Sequence, residues 1–126
     1  MNKKYLLVPV LMGCLMINSP RVLAADTATQ KMAEIILHLN HRPTASEKEE
    51  LQKIENDSST SPSEKTIASS LRQMNHQVSD EDRQKLQNIA GASSVPEPDR
   101  QLANILAGIH HHPSASDKET LEKIAK

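Results

Sequence analysis

Apolar residues recur along this chain at intervals of four and then three. Met32, Ile36 and Leu39 form one such trio, Ile67, Leu71 and Met74 a second, and Leu102, Leu106 and Ile109 a third. That spacing places each trio on one face of an α-helix. A weaker pattern follows each trio: Leu51 and Ile54, Leu86 and Ile89, Leu121 and Ile124. A pair at i, i+3 cannot bury a helix alone. Each second helix is therefore expected to lie against the first helix of its own unit and of a neighbour.

The patterns repeat with a fixed offset of 35 residues. Ala33–Ile54 matches Ala103–Ile124 at 11 of 22 positions, and Ala68–Ile89 is a weaker copy midway between them. Self-similarity at such a period marks a helical repeat architecture. The expected fold is all-α: three tandem helical hairpins, at about 29–56, 64–91 and 99–126, forming a compact bundle or a short α-solenoid. Neither end shows a distinct capping repeat, which favours the compact form. The period is near that of tetratricopeptide repeats, but the Trp, Tyr and Gly landmarks of that motif are missing, so that family is excluded.

Local signals punctuate the units. Asn40-His41, Asn75-His76 and His110-His111 stand where the first helices end, and Asn tolerates the left-handed conformation expected there. Pro43 and Pro113 disfavour helical geometry just before them. Thr44 with Glu47, Ser79 with Asp82 and Ser114 with Asp117 then have capping-box spacing, the two aspartates making the weaker boxes. Asn56–Ser63 and Gly91–Pro98 read as linkers, with Ser61-Pro62-x-Glu64 as another helix start.

The N-terminus changes the boundaries of the folded part. Asn2-Lys3-Lys4, the 12-residue apolar stretch Leu6–Ile17, Pro20 and then Val22-Leu23-Ala24 form a Sec-type signal peptide. Residues 1–24 are expected to be removed, leaving 25–126 as a single domain in the bacterial periplasm or outside the cell. Leu11-Met12-Gly13-Cys14 resembles a bacterial lipobox, which would anchor the chain through a lipid on Cys14. Leu15-Met16-Ile17 continues the apolar run beyond that cysteine, so cleavage after Ala24 is the reading taken.

Composition then removes several function classes. Loss of Lys3, Lys4 and Arg21 leaves 12 basic residues against 16 acidic ones, interleaved and without a basic stripe. Nucleic-acid binding is therefore unsupported. The single cysteine and the single tyrosine both lie in the signal segment, so neither a disulfide nor an aromatic platform is available. Nor does a membrane span follow it. No cysteine nucleophile remains, and the serines cluster in linkers and caps, which argues against an enzyme.

Two functional readings follow. The first is non-catalytic interaction with a protein partner or with a second copy of the chain. It uses the nine stripe residues Met32, Ile36, Leu39, Ile67, Leu71, Met74, Leu102, Leu106 and Ile109 as its surface. The alternative is binding of a divalent metal, Zn or Ni, through His38, His41, His110, His111 and His112, the last three forming a short His-rich tract. His41, His76 and His111 share one repeat position. Stacked helices lie about 8–10 Å apart, so equivalent histidines of neighbouring units are expected to be too distant to share one ion; a compact bundle or a dimer, unlike a linear stack, could bring His38 and His41 together with the 110–112 tract. The bland role for them is capping of helix C-termini.

Overall fold

The computed structural model describes residues 28–126; the expected signal peptide and Cys14 lie outside the described residues. Six helices follow in order: α1 over 28–37, α2 Ala45–Asn56, α3 Pro62–Gln73, α4 Asp80–Ala90, α5 Glu97–Gly108 and α6 Ala115–Ala125. Among the described residues there is no strand, and the helices form a compact bundle.

Helix starts follow the local signals closely. Thr44 and Glu47 close a reciprocal capping box on α2, Ser61 and Glu64 one on α3, and Ser114 and Asp117 one on α6. Pro62 takes the first helical position of α3, where its missing N–H costs nothing. The box expected on α4 is only half made. Ser79 accepts from the Asp82 N–H, while the Asp82 carboxylate turns toward Lys85 at 4.0 Å. The short Asp side chain makes the return bond less well than Glu, and here a lysine one turn away competes for it.

The packing order differs from the simplest expectation. Each second helix takes as its main partner the first helix of the following unit: α2 packs on α3, α4 on α5, and α6 returns to α1. The linkers are thus the tight antiparallel corners. The last pairing joins the end of the chain to its beginning, so the three units form a closed ring and not an open stack. A pseudo-threefold axis runs through the ring, with α1, α3 and α5 around it.

The core fills this ring. All nine stripe residues are buried, none more than 4% exposed. The expectation that they form an interaction surface is thereby corrected. The three stripes face one another across the axis, and ring closure supplies the covering that a linear array would have left to a partner. Ala33, Ala68 and Ala103, fully buried at one repeat position, let the first helices approach. Leu51, Leu86 and Leu121 are also fully buried, each second helix contributing one leucine to the shared core.

One core position breaks the symmetry. Ser70 stands where the other units have Ile35 and Ile105, and its Oγ is buried without a hydrogen-bond partner among the described residues. A buried hydroxyl without a bond is destabilising by about 1–3 kcal/mol, and the missing methyl groups lose packing as well. Ser70→Val is expected to stabilise the protein by about 1 kcal/mol, read as a higher urea midpoint with an unchanged slope.

Candidate metal centre

At one end of the axis the three chain turns after α1, α3 and α5 meet. Their central residues are His41, His76 and His111, at φ 73°, 74° and 73°. The residue in the left-handed region is therefore the histidine, and not the asparagine before it. The His41 N–H donates to the His111 carbonyl, the His76 N–H to that of His41, and the His111 N–H to that of His76, each at 2.7 Å. This cycle of three bonds ties the first, second and third units together.

The backbone alone gives no reason for histidine at these positions. A non-glycine residue held left-handed costs roughly 1–2 kcal/mol, and a backbone hydrogen bond returns a net ~0.5–1.5 kcal/mol. Glycine would make the same three bonds without the steric cost. What histidine adds is its ring. The Nδ1 atoms of His41, His76 and His111 lie 3.1 Å apart on every edge of a triangle. The ring centroids are farther apart, at 4.9–5.0 Å, with interplanar angles of 73–80°. The rings thus splay outward like a propeller while their Nδ1 edges converge on the axis.

Protons alone cannot satisfy that convergence. A hydrogen on one Nδ1 serves one neighbour, and the opposite edge of the triangle is left as two facing lone pairs. A second proton puts two N–H groups face to face. His111 accordingly has its pKa lowered, by desolvation first and then by the neighbouring His76 and His41. A cation on the axis would accept all three lone pairs at once. With metal–nitrogen bonds of about 2.0–2.1 Å, His41, His76 and His111 on the observed triangle would hold a divalent ion with N–metal–N angles of about 95–102°. Those angles lie between an octahedral face and a tetrahedron. Three equal edges do not suit a square-planar ion, which needs one ligand pair opposed across the metal.

The sequence-predicted ligands divide accordingly. His41 and His111 belong to the triangle, and His76 joins them. His38 lies apart at the end of α1, its Nδ1 hydrogen-bonded to the Glu34 carbonyl at 3.0 Å. His112 hydrogen-bonds through Nδ1 to the Pro113 carbonyl at 3.2 Å, and neither it nor His110 belongs to the converging group. The expectation that equivalent histidines stand too far apart is corrected: that distance holds for helices stacked in a line, whereas a closed ring brings equivalent positions to its axis. The signal was present in the sequence as three histidines spaced by 35, without the closure that makes the spacing converge.

The opposite end of the axis carries a second equivalent trio. Thr29 Oγ1 lies 3.0 Å from Glu64 Oε2 and 3.0 Å from Asp99 Oδ1, and both acids are at least 96% buried. A hydroxyl carries one hydrogen, so both contacts are hydrogen bonds only when one carboxyl group keeps its own. Glu64 Oε1 already accepts from the Ser61 N–H, which suits a carboxylate. Asp99 is the partner that holds a proton below about pH 6: burial, then the charge of Glu64, push its pKa up to about 6, against the hydrogen bond from Thr29.

The native state thus binds this proton more tightly than the unfolded chain, whose aspartate titrates near 3.8. The stability associated with Asp99 is fully present below that value and is lost as pH rises through about 6. Asp99→Asn keeps a donor toward Thr29 Oγ1 and removes the titration. The variant is expected to melt several degrees above the parent at pH 7.5 and to converge with it near pH 4. Thermal melts of both proteins at the two pH values check this, and the comparison cancels the contribution of the histidines.

Compared with protein-family models, with curated proteins and with solved structures, the chain matches none.

Proposed function

We propose that this protein is a non-catalytic, exported metal-binding protein that holds one divalent transition-metal ion through Nδ1 of His41, His76 and His111. The observation that carries the reading is the 3.1 Å triangle of converging nitrogens, built by three residues in a costly backbone conformation. Imidazole is a borderline ligand suited to zinc, nickel and their neighbours. The angles fit four-coordinate zinc, or nickel in six-coordinate form.

Binding is favoured over catalysis by the surroundings. Among the described residues, the triad lines neither the cavity at Thr29, Glu64 and Asp99, nor that at Lys31 and Glu50, nor that at Lys65 and Asp82. The ion would sit on an exposed end of the bundle, accessible for capture and release. The signal-like N-terminal sequence supports a location in the periplasm or outside the cell.

Calorimetric titration of the untagged protein with zinc tests the proposal. One ion per chain is expected, with binding abolished in His76→Gly and weakened in acid, where protons compete with the metal for the imidazole lone pairs. Unchanged affinity in His76→Gly would refute the site.

A further inference from the structure

We infer that an ion held by the triad keeps an open coordination position facing solvent, and that this position takes a small monodentate anion. The inference rests on the metal-binding reading above and adds a ligand to it.

Geometry supplies the open position. Three nitrogens on a 3.1 Å triangle are a pyramidal set, with all three bonds leaning to one side of the ion. The other side must be filled from elsewhere, because zinc and cobalt(II) take at least four ligands. Among the described residues no fourth donor converges there. The only His, Cys, Asp or Glu group of this kind among the described residues is the triad itself. His38 and His112 have their Nδ1 atoms committed to backbone carbonyls. His41, His76 and His111 are exposed, as are the residues flanking them, Asn40, Arg42, Asn75, Gln77, His110 and His112.

Charge selects the ligand. Three neutral imidazoles leave a divalent ion with its full double positive charge. The three segments that build this end, residues 38–43, 73–78 and 108–113, contain no Asp or Glu, and they add Arg42. The next carboxylates along the chain are engaged elsewhere: Glu47 and Asp117 at the N–H groups of Thr44 and Ser114, and Asp80 with the Arg83 guanidinium. An anion replacing water on the ion forms one metal–ligand bond as the metal–water bond breaks, and water leaves. Its charge offsets what the protein does not.

Cobalt(II) in place of zinc makes this visible, because its d–d spectrum reports coordination number and ligand type. Azide titrated into the 1:1 cobalt protein is expected to change that spectrum saturably, both in the parent and in a His110→Gln/His112→Gln variant. A cobalt spectrum that azide leaves unchanged would show the position closed by the protein and overturn the inference while sparing the triad. Loss of the azide response in the His110/His112 variant would likewise overturn it, by assigning the anion to the tract. No cobalt spectrum at 1:1 would overturn the metal-binding reading itself, and this inference with it.

Discussion

Zinc at a hundredfold excess over its dissociation constant is expected to raise the melting midpoint by on the order of 10–20 °C. A ligand bound only by the native state stabilises it by about 2.7 kcal/mol at that excess. A domain of this size gains roughly 4–8 °C per kcal/mol. The effect should be large here because the three ligands come from the first, second and third units, so the ion closes the ring that the backbone cycle already ties. The control is the triple variant His41→Gly/His76→Gly/His111→Gly. Glycine adopts φ near +73° freely, so the metal-free variant should melt no lower than the metal-free parent while losing the zinc shift entirely. A triple variant that unfolds would instead make the histidines structural. A shift that survives in it would move the ion to other residues.

Core substitutions should be equally severe at the start, middle and end of the chain. Ile36, Leu71 and Leu106 occupy one repeat position and are all fully buried. Replacement of each by Ala is expected to cost about 2–5 kcal/mol, a large part of the ~5–15 kcal/mol by which domains are stable. In a linear array the end units have one neighbour each and would tolerate the change better than the middle one. In a ring all three have two. Leu121 sharpens the test, because it lies on the last helix yet is fully buried where α6 returns to α1. Leu121→Asp is expected to lower the denaturant midpoint of the whole domain in one cooperative step. If it merely frayed residues 115–126, the ring would not be closed in solution.

These two expectations show how far the residues alone reach. Helix number, the apolar stripes and most of the caps were legible, because each depends on contacts within about four residues: a 3.6-residue period, a hydroxyl three positions from an amide, a proline fixing its own φ. The equivalence of His41, His76 and His111 was legible too, as a simple spacing of 35. So was the equivalence of Thr29, Glu64 and Asp99, although a threonine aligned with two acids gives no hint of a shared proton.

What those equivalences mean was decided by the tertiary structure. A period specifies that units are alike, but not whether successive units translate along a line or rotate about a point. Rotation through three steps returns α6 to α1, turns the apolar stripes from a surface into a core, and carries every equivalent position to one axis. Three histidines that stacking would hold far apart then converge to 3.1 Å. The sequence by itself determined the helices and the repeat; closure of the ring, and with it the histidine triangle, came from long-range packing that no local pattern encodes.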